Sequence, residues 1–264
     1  QDSQMGTTPQ GNSSFANIDF EIVNRSANPV VVDGQTYAVG DVVMIITTDE
    51  KGHASTGNDA LPYGTYEVRE SATNESMLLT WTGETVQVRQ NGHSVAITAV
   101  NDVERGGLSV EKQDTITGST PQGDANFQGI TFEIINNSRN PVMVEGQKYQ
   151  PGEVVKTLVT DSEGKASTAD DLLPYGEYIL HESATNESML LTAPDQTVLV
   201  EDDGIIYEFV MADEVVRGGV LIEKRDLESG LLTPLGGASL DGTLFEITNK
   251  SINAVYVNGA LYQP

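Results

Sequence analysis

The chain has 264 residues, a formal net charge of −25 and no cysteine. Such acidity disfavours nucleic acid and anionic membrane as partners, because their phosphates would be repelled. Without cysteine there are no disulfides, thiolate metal sites or thiol nucleophiles, and no apolar run approaches the roughly 20 residues needed to span a bilayer.

Self-comparison sets the architecture. A shift of 112 residues lays Gln1–Gly107 on Gln113–Gly219 without a gap. Phe20-Glu21-Ile22 falls on Phe132-Glu133-Ile134, Leu61-Pro62-Tyr63-Gly64 on Leu173-Pro174-Tyr175-Gly176, and Glu70–Thr80 on Glu182–Thr192. A third copy begins near Gly219 and carries one inserted residue before Pro234. The expected domains are repeat one at 1–104, lacking its first strand, repeat two at 105–217, complete, and the start of repeat three at 218–264. The chain has no charged-then-apolar leader, and it opens and stops in mid-pattern, as a window cut from a longer protein would.

Taken in order, the elements of repeat two all read as strand. Gly107-Leu108-Ser109-Val110-Glu111-Lys112 alternates, so Leu108, Val110 and Lys112 share one face. Ile130, Phe132 and Ile134 alternate with Thr131 and Glu133, and Glu153–Thr160 is a strand apolar on both sides. Asp161-Ser162-Glu163-Gly164 and its twin Asp49-Glu50-Lys51-Gly52 read as hairpin turns. A Pro-Tyr-Gly turn leads into a strand at Tyr175–Glu182. Thr197–Val200 and Ile205–Asp213 predict a hairpin around Asp203-Gly204, matched by Asn91-Gly92 in repeat one. Frequent turns between short strands, with no helical stretch, predict an all-β fold of tandem β-sandwich repeats with Ig-like topology. Linkers are almost absent, which predicts a semi-rigid string of domains.

Three polar residues break the apolar pattern of that core. Lys112 lies on the inner face of the first strand. On the strand after the Pro-Tyr-Gly turn, Glu182 joins Tyr178 and Leu180, leaving Ile179 and His181 outside. Asp213 joins Tyr207, Phe209 and Met211 on the last strand. Repeat one offers Glu70 and Asn101 at the same places, and repeat three offers Lys224 beside Val220 and Ile222. One such residue reads as a side chain reaching solvent or an ordinary buried ion pair. Three at matching places suggest chemistry. Burial disfavours the charged form of amine and carboxyl alike. A neutral amine held against a carboxylic acid or carboxamide is a nucleophile, and a protonated Glu can shuttle the proton to the leaving group. The product is an amide between side chains, with loss of water from Asp or ammonia from Asn.

The glycine-led Leu-Ser-Val-Glu-Lys-Gln-Asp strand, Ile-Thr-Phe-Glu-Ile, Asp-Ser-Glu-Gly, Leu-Pro-Tyr-Gly-Glu-Tyr-Ile-Leu-His-Glu and a terminal Asn or Asp before Arg-Gly-Gly resemble one known family. It comprises the Cna protein B-type, or SpaA-like, prealbumin-fold domains of Gram-positive surface proteins and pilins. The resemblance implies an autocatalytic intramolecular isopeptide bond, here from Lys112 to Asp213 with Glu182 assisting. Glu70 and Asn101 would be the corresponding residues of repeat one, and Lys224 the lysine of repeat three. Two features depart from the usual pattern. Asp213 stands where the family more often has Asn, and Ser-Ala-Thr-Asn-Glu-Ser-Met replaces the usual turn after the Glu. The expected function is a structural stalk or fibre segment of a cell-wall-anchored surface protein, with neighbouring repeats and other fibre copies as partners and no cofactor, metal or membrane insertion.

Two alternatives stand beside it. One is an adhesin module for a host matrix protein or glycan. The other is a filament in which the strand bearing Lys224 completes repeat one of the next molecule and links to Asn101. A conventional enzyme is disfavoured. His53, His93 and His181 each align with a non-histidine, and no nucleophile–base spacing, phosphate loop or metal cluster is present.

Overall fold

The computed structural model describes residues 1–264 and contains strands, turns and no helix. Repeat one contributes β1 (Asp19–Asn24), β2 (Val30–Val32), β3 (Gln35–Tyr37), β4 (Val42–Thr47), β5 (Gly64–Ala72) and β6 (Glu84–Val88). Repeat two contributes β7 (Arg105–Asp114), β8 (Thr131–Asn136), β9 (Val142–Val144), β10 (Gln147–Tyr149), β11 (Val154–Val159), β12 (Lys165–Ser167), β13 (Leu173–Pro174), β14 (Gly176–Ala184), β15 (Gln196–Val200) and β16 (Ile206–Asp213). In repeat three only the hairpin β17 (Val255–Val257) and β18 (Ala260–Tyr262) forms.

Repeat two is a two-layer sandwich. One sheet has the order β11-β8-β14-β15, all antiparallel. In the other, β7 is central, with β12 and β13 along one edge and β16 parallel to it along the other. The inner faces follow the period-two pattern: Leu108 and Val110 from β7 meet Phe132 and Ile134 from β8 and Tyr178 and Leu180 from β14, all buried. Tyr178 resolves its polar end internally by donating its hydroxyl to Pro174 O at 2.8 Å. Repeat one builds the equivalent first sheet, β4-β1-β5-β6, over its own core of Phe20, Ile22, Tyr66 and Val68.

Two turns behave differently from the sequence expectation. β15 and β16 are not a hairpin: β15 pairs with β14, whereas β16 crosses to the other sheet and runs parallel to β7. The Asp161–Gly164 turn likewise joins β11 in one sheet to β12 in the other. A local turn signal reports that the chain reverses, but the sheet it reverses into depends on which edge is free. Here β7 offers both of its edges. The hairpins that do form around two-residue turns are β2–β3, β9–β10 and β17–β18. Their turns, Asp33-Gly34, Glu145-Gly146 and Asn258-Gly259, have both residues at positive φ (49° and 78° in the second), the conformation that suits a right-twisted hairpin.

Segments 93–100 and 218–248 form no strand. In repeat one, 93–100 has no counterpart of β7 beside it. In repeat three no counterpart of β14 is available to pair with, so Leu221, Leu244 and Phe245 stay exposed. Strand formation here is tertiary: an isolated apolar run gains nothing until a partner edge and a facing sheet are present.

Candidate functional site

β7, β14 and β16 bring Lys112, Glu182 and Asp213 to one point between the sheets. Lys112 and Met211 are neighbours in the parallel β7–β16 ladder, so Asp213, two residues on, lies on the same inner face. Glu182 reaches them from β14 across the interlayer. All three side chains have 0 % accessible surface. Lys112 Nζ lies 3.0 Å from Asp213 Oδ2 and 3.3 Å from Glu182 Oε2, and it donates a hydrogen bond of 3.2 Å to Met211 O. The snorkelling alternative does not apply to Lys112. The amine is sealed inside.

The two oxygens of Asp213 are treated differently. Oδ1 accepts three hydrogen bonds, from Thr192 N (2.9 Å), Thr192 Oγ1 (3.0 Å) and Ala193 N (2.6 Å). Oδ2 faces the amine and has no other partner, and neither Glu182 oxygen accepts a hydrogen bond from a neutral donor. Burial, and then the adjacent Asp213 carboxylate, push Glu182 up to about 7, against the pull of Lys112. Burial also acts upward on Asp213, but the neighbouring Glu182 carboxyl, the Thr192 N–H and Lys112 outweigh it, and Asp213 sits below its ordinary value. Of the two carboxyls, Glu182 is the more readily protonated.

Repeat one repeats this asymmetry with an amide. Asn101 Oδ1 accepts from Trp81 N at 3.1 Å, and Asn101 Nδ2 donates to both oxygens of Glu70, at 2.7 and 2.8 Å. Burial raises Glu70 as well. Asn101 and Glu70 are buried, and the groove beside them is lined by Phe20, Val68, Met77, Ile97 and Asn101. β7 fills the matching position in repeat two. Lys224 is the exception among the sequence candidates. It is exposed and donates only to Arg225 O, because its segment has no sheet to lie on. The N–H groups of Thr192 and Ala193 carry no mark in the sequence, since a backbone N–H has no sequence signature. The Thr192 hydroxyl does have one, because Thr80 stands at the same place in repeat one.

His53, His93 and His181 lie apart, and His181 pairs with the exposed Asp195. No group of three His, Asp or Glu side chains is arranged to hold a metal ion, and no helix is long and apolar enough to cross a membrane.

A family model described as SpaA, prealbumin-like fold domain, matches residues 7–103 and 107–215. No curated protein matches the chain. Among solved structures, the Bacillus anthracis TIE protein is 20 % identical with a TM-score of 0.49, covering 81 % of this chain and 33 % of its own. This chain thus spans about a third of that protein's length. The minor pilin GBS52 of Streptococcus agalactiae is 18 % identical (TM-score 0.33; 79 % of this chain, 87 % of its own). The shaft pilin SpaA of Lactobacillus rhamnosus GG is 12 % identical (TM-score 0.33; 84 % and 96 %).

Proposed function

The chain belongs to the SpaA family of prealbumin-like fold domains, and we propose that it is a structural stalk segment of a Gram-positive cell-surface protein or pilus, stiffened by a self-made amide between Lys112 and Asp213. The observation that carries this reading is the sealed triad, with its amine 3.0 Å from one carboxylate oxygen while the other is held by three donors.

The chemistry follows from that geometry. A proton moves from Lys112 to Asp213 Oδ2, converting an ion pair into a neutral amine and a neutral acid, which a dry site favours. The Nζ lone pair then attacks Cγ, and the carbonyl electron pair moves onto Oδ1. Thr192 N–H, Thr192 O–H and Ala193 N–H stabilise the charge that develops there, in the manner of an oxyanion hole. Protonated Glu182 gives its proton to the Oδ2 hydroxyl, which leaves as water, and takes one from Nζ in return, ending as it began. In repeat one Glu70 and Asn101 stand at the same places; with a lysine-bearing strand beside them the leaving group would be ammonia. Each site turns over once, so the protein is not a conventional enzyme.

The bond's position suits tension. β7 enters the repeat and β16 leaves it, and the two run parallel. Force arriving along β7 would pass at Lys112 into Asp213 and out, leaving the intervening strands unloaded. Stretching a single chain tests this. Repeat two should release no extension, whereas Lys112→Met should release about 100 residues, or about 350 Å. Repeat one, which holds no such lysine, should release its own length in both chains, so a second release of about 350 Å by the parent chain would refute the proposal. Adhesion to a host matrix protein or glycan is the second reading, but no structural observation favours it. The filament variant has in its favour only the open groove at Asn101, while Lys224 lies free of any strand.

A further inference from the structure

The Pro-Gln-Gly loop of repeats one and two, Pro9-Gln10-Gly11 and Pro121-Gln122-Gly123, takes no part in the cross-link, yet it makes the same contacts at both junctions between repeats. In repeat one, Gln10 is buried and donates Nε2 to both carboxylate oxygens of the buried Asp2, at 3.1 and 3.0 Å. Its Oε1 accepts from Met143 N of repeat two at 2.8 Å. Gly11 N donates to Pro141 O at 3.1 Å, Asn140 N donates to Gly11 O at 3.1 Å, and Arg139 N donates to Asn12 Oδ1 at 3.0 Å.

At the next junction the equivalent residues repeat every one of these bonds. Gln122 Nε2 donates to both oxygens of Asp114 at 3.1 and 3.0 Å, and Gln122 Oε1 accepts from Tyr256 N at 2.9 Å. Gly123 N donates to Ala254 O at 3.1 Å, Asn253 N donates to Gly123 O at 2.9 Å, and Ile252 N donates to Asp124 Oδ1 at 2.8 Å. An arginine at the boundary between repeats closes each junction: Arg105 donates to Met143 O at 3.0 Å and Arg217 to Tyr256 O at 2.8 Å. The receiving residues differ in type between the two junctions (Met143 against Tyr256, Arg139 against Ile252), but the groups used are backbone atoms, which do not depend on type.

We propose that this loop is a docking element by which repeats one and two each grip the short hairpin region of the next repeat, β9–β10 and β17–β18, so that successive repeats are fixed in one constant orientation. The partner is a further repeat of the same kind. A buried Gln–carboxylate pair holds the amide so that its oxygen points outward, and that oxygen meets an N–H that would otherwise face solvent. The first junction is also sterically closed. Gly11 has φ +55°, and a Cβ there would lie 2.2 Å from Tyr175 O. Tyr175, from the Leu-Pro-Tyr-Gly turn of repeat two, is buried against the core of repeat one and donates its hydroxyl to Glu75 at 3.2 Å. Its twin Tyr63, on the corresponding face of repeat one, is 74 % exposed. Repeat three has Leu235 and Gly237 where the loop residues Gln and Asn or Asp would stand, so its loop lacks the side-chain groups of the grip.

The grip hangs from the cross-linking strand itself. Asp114 lies two residues beyond Lys112 and opposite Asp213 in the β7–β16 ladder, so the docking loop is anchored where tension would leave the repeat. Docking does not require the amide to form, and it can be tested independently of it. Because the chain has no cysteine, Thr85→Cys and Thr157→Cys would place a single pair of spin labels on exposed strand positions of repeats one and two. Pulsed dipolar spectroscopy should give one narrow distance distribution in the parent. Gln10→Ala, and Gly11→Val as a wedge on the junction, should each widen it about twofold or more, as for two domains released to move. Thermal melting would show that both repeats remain folded. A broad distribution in the parent would overturn the proposal, as would a Gly11→Val chain that stays folded and keeps the parent's width.

Discussion

Replacing Glu182 by Gln separates the chemistry from the packing. At neutral pH Glu182, raised to about 7, already spends much of its time uncharged, and a glutamine has nearly its shape. The fold should therefore form, but the carboxyl that relays protons is lost and Lys112 should remain unlinked to Asp213. The two residues close a loop of about 100 residues, and such a cross-link contributes about 4.7 kcal/mol if the entropy of a disulfide-closed loop transfers. Across the 109 residues of 107–215, an unfolding entropy of about 2.1 cal/mol/K per residue gives about 0.23 kcal/mol/K, so the loss corresponds to about 20 °C in Tm. Differential scanning calorimetry of parent and variant measures it, with reductant present in both to show that no thiol chemistry is involved. A variant that stays linked, or an unlinked variant melting within about 5 °C of the parent, would refute the reasoning.

Other consequences follow from the same geometry. Thr192→Ala removes one of three donors to Asp213 Oδ1, and linking should slow by about 10² without being abolished, read as the linked fraction against time after synthesis. Lys112→Met cannot link and removes the cation that lowers Glu182. A carboxyl whose folded pKa lies above its unfolded one stabilises fully below the unfolded value, so the contribution of Glu182 should be greatest below about 4.5 and be lost as pH rises to and beyond 7. Thermal melts across that range would check the sign. A synthetic peptide with the sequence of Arg105–Asp114 should enter the groove beside Asn101 and become covalently attached with loss of ammonia. Glu70→Ala should prevent the attachment, and intact mass after mixing reads it directly.

Strand alternation alone puts Lys112, Glu182 and Asp213 on inner faces, because a side-chain period of two is a local property of the backbone. The destination of β16 is not legible in the same way. Asp203-Gly204 signals a reversal, but pairing with β7 rather than β15 is decided by an edge nearly 100 residues away in sequence. The short hairpins at Asp33-Gly34, Glu145-Gly146 and Asn258-Gly259 do carry a local signal, an Xaa-Gly pair directly after a valine. The donors to Asp213 Oδ1 are largely backbone groups, so only the Thr192 hydroxyl has a readable counterpart. Gln10 and Gln122 are visible as identical residues, but their purpose depends on a neighbouring repeat, which no single repeat's pattern describes.

A stalk stiffened in this way requires that the buried amine be consumed. Intact mass of the purified chain in denaturant should be one water lower than the sequence mass, with fragmentation joining the peptide containing Lys112 to that containing Asp213, and Lys112→Met should match its own sequence mass in full. A parent chain at its full sequence mass, folded but unlinked, would contradict the account.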